Sequence, residues 1–234
     1  MIIYIIKRRI EIMNISNQDK KRFEAVKKFS KVVLEQGRDV YGEKHTPLFV
    51  DGLNVETMKP PEKIPEWSRE KRRRAWISSN LADQGNLMRF LEGLSNLTGD
   101  LKYRKEMLKA IKYNFDNFQG SGGLLPMGHH RFIELKSDTW KGDKDKGNCP
   151  HELKQNFVYY YLFQEADSQA NQKMLKGIWN SHITDWSILD FTRHGKYGQE
   201  IPANLWDQNY YGEFNQIHRM GNKGNYTFFD TACD

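Results

Sequence analysis

Two helical segments joined by three residues set the strongest limit on how this chain can fold. Within residues 86–104, apolar side chains recur at helical spacing on both sides of Thr98-Gly99-Asp100. Gly99 suits the C-terminal cap of the first helix, and Asp100 suits the N-cap of the second. Helices joined by so short a turn must pack as antiparallel neighbours. The sequence therefore predicts a helical hairpin at the centre of the fold.

The same periodicity extends to both sides of this hairpin. It predicts helices from Asp19 to Gln36 (ended by Gly37), from about Ser79 to Leu97, from about Leu101 to Phe118, from His151 to about Glu165, and from Asn171 to Asp185. Residues 39–61 read as a loop, which the apolar run Leu48-Phe49-Val50 marks as ordered. Strand signals are few, so we predict an all-α class.

Paired helices followed by a longer polar loop occur at least twice in the chain. This organisation is typical of stacked helical hairpins, as in an α/α toroid, where the loops at one end of the ring form a cleft. An ordinary helical bundle would explain the helices equally well. We assign residues 1–18 to an N-terminal extension and residues 19–234 to one α/α domain.

Three polar clusters follow the paired helices. They are Gly128-His129-His130-Arg131, His151-Glu152-Leu153-Lys154 and Arg193-His194-Gly195-Lys196-Tyr197-Gly198. If these loops converge, His130, Glu152 and His194 form a set of two imidazoles and one carboxylate, which suits a divalent transition metal. Ligands drawn from separate elements leave open coordination positions, as in a catalytic site.

The charge of the chain favours an anionic partner. The net charge is +6, which is compatible with nucleic acid, an anionic membrane or an acidic polysaccharide. Two cysteines, Cys149 and Cys233, cannot form a disulfide framework. Residues 1–9 are too short to span a bilayer, and their charges follow the apolar part, unlike a signal peptide. We therefore expect a cytoplasmic protein, or a periplasmic or secreted one if the true N-terminus is missing.

A metal with open positions leaves room for the carboxylate of a uronic acid. Binding that carboxylate makes the adjacent C–H group more acidic, so that a base can remove its proton and the glycosidic oxygen can leave by β-elimination. Arg193, Lys154 and Lys196 are the available bases. Arginine holds its proton to about pH 12, so Arg193 could instead form a bidentate pair with a carboxylate.

Five segments of the sequence resemble the family 2 polysaccharide lyases. They are HTPLFVDG (residues 45–52), NLMRFLEGLSNLTGDLKYR (residues 86–104), GHHRF, HELK and RHGKYG, and the resemblance covers about residues 38 to 200. It implies a pectate lyase with an α/α toroid fold that acts on polygalacturonate or oligogalacturonate. The family's ring uses more hairpins than 234 residues supply, so the chain is expected to be the N-terminal part of an incomplete toroid.

The resemblance also implies roles for individual residues. His130, Glu152 and His194 take the metal positions, with manganese the expected ion, and Arg193 takes the position of the catalytic base. The adjacent His129 competes with His130 for its place. Further residues are candidates for substrate binding: His45, Arg89, His151, Lys154, Lys196 and Tyr197. His151 could instead support the site from a second shell, and His182 is expected in the core.

Other functions stay open at this point. A partial toroid could bind acidic oligosaccharides without cleaving them. A glycoside hydrolase would use paired carboxylates, for which Asp185 and Asp190 are available. The basic run at residues 71–74 would serve a nucleic-acid binder. We expect an acidic polysaccharide or oligosaccharide as the partner, and neither nucleic acid nor a membrane.

Overall fold

The computed structural model describes residues 16–60, 77–128, 131–142, 151–152, 159–185, 190–191 and 194–195. Five helices lie within these ranges: α1 (Asn17–Gln36), α2 (Gly85–Thr98), α3 (Lys102–Phe118), α4 (Tyr160–Ala166) and α5 (Ser168–His182). Seven short strands lie there too: β1 (Ser78–Ser79), β2 (Arg131–Glu134), β3 (Thr139–Gly142), β4 (His151–Glu152), β5 (Ile183–Asp185), β6 (Asp190–Phe191) and β7 (His194–Gly195).

Helix α1 matches its prediction because both ends are signalled locally. The Ser16 hydroxyl oxygen accepts a hydrogen bond from the Asp19 backbone N–H at 3.1 Å, which satisfies a donor of the first turn. The helix ends at Gln36, before Gly37, whose N–H donates to the carbonyl of Val33. Phe23 and Val33 are partly buried against the main core.

Helices α2 and α3 form the predicted hairpin. Gly99 ends α2 in the left-handed conformation with φ of 72°, as its position predicted. Asp100 lies just before α3, and its carboxylate accepts from the Lys102 N–H at 3.0 Å. The Ser95 hydroxyl accepts from the backbone N–H of Arg104 at 3.0 Å and so joins the two helices directly. Helix α2 begins at Gly85 and not near Ser79, because Ser78 and Ser79 form β1 against β2.

The predicted helix from His151 is wrong in its first part. His151 and Glu152 form β4, which pairs with β7, and α4 begins only at Tyr160. Helix α5 ends at His182, earlier than predicted, because Ile183–Asp185 pairs with Asp190–Phe191 as a two-stranded sheet. β-branched residues such as Ile183 favour extended backbone.

Two apolar clusters lie in the core. The larger one joins α2 to α5 and includes Leu91, Ile111 and Phe163, each fully buried. The smaller one lies under the antiparallel sheet β1-β2-β3 and is built from Leu48, Val50, Ile77, Ile133 and Leu135. The loop of residues 39–60 is thus ordered by its apolar run, as predicted.

The predominantly helical class is confirmed, with small sheets added at the loops. The arrangement as a toroid and the division at residue 18 stay predictions. Among the described residues no helix is both long and apolar enough to cross a membrane.

Arg104 on α3 links three helices through ion pairs. Its guanidinium donates to Glu92 on α2 and to Glu165 on α4, the latter through Nε at 3.1 Å. The Tyr161 hydroxyl donates to the same Glu92. Arg104 is only 22 % exposed, so solvent screens these pairs less than it screens pairs on the open surface.

We predict that Arg104→Ala lowers the free energy of unfolding by about 1–2 kcal/mol, because it removes charge-assisted hydrogen bonds to two carboxylates. This value allows for solvent screening at Glu165, which is 44 % exposed. Urea denaturation at pH 7 measures the change. Lys31→Ala is the control, since Lys31 is 72 % exposed and lies 3.9 Å from Glu35; it should change stability by no more than about 0.5 kcal/mol.

The effect of Arg104→Ala should also depend on pH. Hydrogen bonds from Arg104 lower the pKa of Glu165. A carboxylate with a lowered pKa in the folded state stabilises the protein fully above its unfolded pKa, about 4.3, and this contribution is lost as the pH falls through the folded value. The stability difference between wild type and Arg104→Ala should therefore shrink between pH 5 and pH 3. A gap that widens on acidification would contradict this assignment.

Candidate functional site

Two of the three predicted metal ligands lie opposite each other on paired strands. In the antiparallel pair β4–β7, His151 faces Gly195 and Glu152 faces His194 across the register. Directly opposed positions of an antiparallel pair share one face of the ribbon. Positions 152 and 194 therefore share one face, and positions 151 and 195 share the other. The strand pairing thus brings the backbones of the second and third polar clusters side by side.

Glu152 is a buried acidic residue. The residue is only 4 % exposed. A buried carboxylate is tolerated when cations or hydrogen-bond donors compensate its lost hydration. A carboxylate and an imidazole at opposed positions are the kinds of oxygen and nitrogen donors that a mixed metal site uses.

Gly128 brings the first cluster to the same place. Its φ is 121°, and a Cβ atom built on it would lie 2.8 Å from the Cβ of Glu152 and 3.0 Å from the carbonyl oxygen of Glu152. Only glycine permits this approach of the chain to β4. The segment that continues into His129 and His130 therefore starts in contact with Glu152.

Asn80 holds Gly128 in this position. The side-chain amide of Asn80 donates to the Gly128 carbonyl at 2.8 Å, and its oxygen accepts from the Gly128 N–H at 3.3 Å. Asn80 is itself fixed by Asp51, whose Oδ1 accepts from the Asn80 backbone N–H at 2.8 Å. From the sequence alone, Asn80 lies only near the start of a predicted helix. No local pattern reveals its contact with Gly128, because the two residues are 48 positions apart.

Arg131 fixes the chain on the other side of His129 and His130. Arg131 opens strand β2 and is 2 % exposed. Its guanidinium carbon lies 4.5 Å from the ring centroid of Trp140, which stacks on it from the paired strand β3. One face of the Trp140 ring is therefore occupied by Arg131. Both flanks of the two histidines are thus anchored in packed structure.

His130, Arg193, Lys154, Lys196 and Tyr197 lie outside the described residues, and for His194 only the backbone is described. Among the side chains that the structure describes, no group of three metal-binding residues is found. The three-ligand set, the choice between His129 and His130, and the role of Arg193 accordingly stay predictions.

His151 lies on the face of the strand pair opposite Glu152. It is 1 % exposed, and its Nδ1 lies 2.8 Å from Nε2 of His182, within hydrogen-bonding distance. Burial, together with the nearby His182 and Arg131, lowers the pKa of His151 well below its usual value, so the ring is neutral. Of the two roles considered for His151, support from behind the site fits this burial better than contact with substrate.

The other candidates for substrate binding that the structure describes are His45 and Arg89. Both are exposed. Arg89 donates from Nε to the hydroxyl of Tyr159 at 3.2 Å. No hydrogen bond or ion pair within the described residues joins either side chain to β4 or β7.

Asp185 and Asp190, the carboxylates considered for a hydrolase, are opposed in the β5–β6 pair. Directly opposed residues lie about 4.5–5.5 Å apart at Cα. This placement keeps the alternative of two cooperating carboxylates open on geometric grounds.

Comparison with known proteins favours the lyase. Residues 46–234 match the model of a family described as periplasmic pectate lyase. A pectate disaccharide-lyase of Dickeya dadantii (strain 3937) is 33 % identical over 162 residues, which is 69 % of this chain and 29 % of that protein. The chain thus spans about a third of the length of this curated relative. Because the matched family is described as periplasmic, the prediction of a cytoplasmic location is wrong.

The close approach of Gly128 to Glu152 predicts a matched pair of glycine substitutions. Gly128→Ala should destabilise the protein by about 2 kcal/mol or more, because it combines an unfavourable φ with a backbone collision. Gly93→Ala should stabilise it by about 0.5–1 kcal/mol, because Gly93 lies within α2 and an added Cβ meets nothing within 4 Å. Thermal and urea unfolding measure both. Equal effects of the same sign would contradict the close contact at Gly128.

Proposed function

Since the chain belongs to the periplasmic pectate lyase family, we propose that it is a polysaccharide lyase that cleaves galacturonate chains by β-elimination with a bound transition metal. The observation that supports this most strongly is the register of β4 and β7, which places Glu152 directly opposite His194. The relative is named a pectate disaccharide-lyase, so we expect a disaccharide product here as well.

Glu152, His194 and His130 would hold the metal, with manganese as the expected ion. The residues fit such a group in two respects. Glu152 supplies a buried carboxylate, which is an oxygen donor that a divalent cation can bind. The chain approaches it from Gly128 on one side and from β7 on the other. Two imidazoles and one carboxylate form a donor set suited to a divalent transition metal and leave positions open for substrate.

A divalent cation at this site would supply Lewis acidity toward the uronate carboxylate of the substrate, which stabilises the negative charge that develops beside it. Arg193, the residue before β7, is the proposed base. It takes the proton from C5 of the galacturonate ring, the C–H electron pair becomes the C4–C5 double bond, and the bond from C4 to the glycosidic oxygen breaks. The leaving oxygen takes up a proton, so an unsaturated uronate and a new reducing end result.

Arginine is an unusual base, because its guanidinium normally keeps its proton to about pH 12. Desolvation and a neighbouring cation both disfavour the charged form and so lower the pKa. A metal ion bound by the adjacent His194 would provide the neighbouring cation. Lys154 and Lys196 are the alternative bases, since lysine shifts its pKa more readily when buried.

The alternative from a different class is a domain that holds the same buried carboxylate opposite His194 and binds acidic oligosaccharides without cleaving them. The hydrolase alternative differs from both, because hydrolysis forms no double bond.

Activity on polygalacturonate separates these functions. We expect the absorbance of the unsaturated product to rise when manganese is restored after chelation, and chromatography to show an unsaturated disaccharide. Arg193→Ala should lower kcat by about 10²–10⁴, the usual contribution of a general base. Arg22→Ala is the control, since Arg22 is 67 % exposed on α1 and pairs only with Asp19 among the ion pairs of the described residues. New reducing ends without absorbance would indicate hydrolysis, and binding without product would indicate the non-catalytic domain.

Metal content tests the proposed ligands without relying on turnover. Purified protein, chelated and then dialysed against manganese, should retain close to one ion per chain. Glu152→Gln and His194→Ala should each lose most of it, because the site keeps only two ligands. His45→Ala serves as the control, because His45 is an exposed histidine. Equal metal content in wild type, Glu152→Gln and His194→Ala would remove the assignment.

A further inference from the structure

His182 closes helix α5 and lies directly behind the strand pair that carries the proposed ligands. It is fully buried, with 0 % of its surface exposed. Its Nε2 lies 2.8 Å from Nδ1 of His151 on β4. The two rings meet edge to face, with centroids 5.1 Å apart and an angle of 73° between their planes. One imidazole donates this hydrogen bond and the other accepts it, which fixes the orientation of both rings.

The same ring also touches the partner strand. A Cβ atom built on Gly195 of β7 would lie 2.6 Å from Nε2, 2.9 Å from Cδ2 and 3.0 Å from Cε1 of His182. The imidazole therefore packs against the bare backbone of Gly195, with no space for a larger residue. His182 thus contacts both members of the opposed pair His151 and Gly195.

That pair is adjacent in register to Glu152 and His194. Successive residues of a strand lie on opposite faces, so His182 packs behind the ribbon while the proposed ligands lie in front of it. Both strands are two residues long, so their own backbone hydrogen bonds are few. A side chain that contacts both strands at once fixes the separation of the two positions in front.

We propose that His182 is a positioning residue for the metal site: by contacting His151 and Gly195 together, it sets the distance between Glu152 and His194. This inference rests on the proposed function, because it assumes that those two residues bind the metal. His182 is not among the proposed ligands and acts through the strand pair.

The polarity of this contact supports positioning over simple core packing. His151 Nε2 is buried and has no hydrogen-bond partner within the described part of the chain. An unsatisfied buried nitrogen lowers stability, and a pair of leucines would fill similar space without that penalty. Two histidines provide instead a directional contact that an apolar pair lacks, and such outer residues govern metal affinity about 10–100-fold in known sites.

Three variants separate positioning from stability. His182→Leu removes the hydrogen bond and leaves His151 unpaired, so it should weaken both folding and metal binding. His182→Gln keeps a polar group near the position of Nε2 and should restore metal affinity to within about threefold of wild type. The double variant His151→Leu/His182→Leu replaces both partners by apolar groups, and such replacements are close to neutral for folding. It should keep the melting temperature of the metal-free protein within a few degrees of wild type.

The decisive measurement is the affinity of the full chain for manganese, with the visible absorption of bound cobalt as a second readout of ligand geometry. We expect the double variant to bind manganese about 10–100-fold more weakly than wild type and to show an altered cobalt spectrum, despite its normal melting temperature. Met174→Leu is the control, because Met174 is equally buried on the same helix and packs in the main core; it should leave affinity unchanged.

The outcomes distinguish a failure of the positioning role of His182 from a failure of the proposed metal site. If wild type binds manganese and the double variant binds it equally well with the same cobalt spectrum, His182 is a core residue only and the inference is wrong. If wild type binds neither metal, the proposed metal site fails, and the inference fails with it.

Discussion

The pairing of β4 with β7 is the interaction on which the proposed chemistry depends. It joins His151–Glu152 to His194–Gly195 and so connects the second and third polar clusters directly. Each strand has two residues, so the pairing cannot be stable alone. It persists because packed structure surrounds it: the Gly128 segment on one side and the last turn of α5 on the other.

The helices provide that packed structure. Helices α2 to α5 share one apolar core, and Arg104 adds ion pairs between three of them on the surface. The small sheet β1-β2-β3 lies over a second core, with Asn80 just after the end of β1 and Arg131 at the start of β2, and both hold the segment that leads to the site. The proposed site thus lies in the connections between helices, where the backbone conformation can vary while the packed core resists deformation.

Sequence reasoning predicted the features that short-range chemistry decides. Ser16 and Gly99 mark helix ends through contacts within a few residues, so α1 and the α2–α3 hairpin were predicted closely. The strand at His151 was missed because its partner is distant in sequence, and an acid after a histidine also fits a helix start. Asn80 escaped notice for the same reason, as its contact spans 48 positions.

For the site, the sequence identified candidate segments but not how their backbones pair. Glu152 and His194 are opposed in the register of β4 and β7, and His151, a candidate for substrate contact, is a buried partner of His182. Which face of a strand is buried cannot be predicted from two residues, because the alternation of apolar and polar residues is visible only in a longer segment. The place of His130 and Arg193 stays a prediction, since neither lies in the described ranges.

Because Gly195 has no Cβ atom, it also favours one register of the pairing between β4 and β7. A slip of one residue would exchange the faces of every position in β7 and bring a residue with a Cβ atom against the ring of His182, where the space ends. A shifted register would therefore bring a Cβ atom into collision with the His182 ring, whereas the native register avoids this collision. In so short a strand pair, the register is thus specified by the collision that a shifted register would cause, and the lack of a Cβ atom at position 195 is what allows the native one.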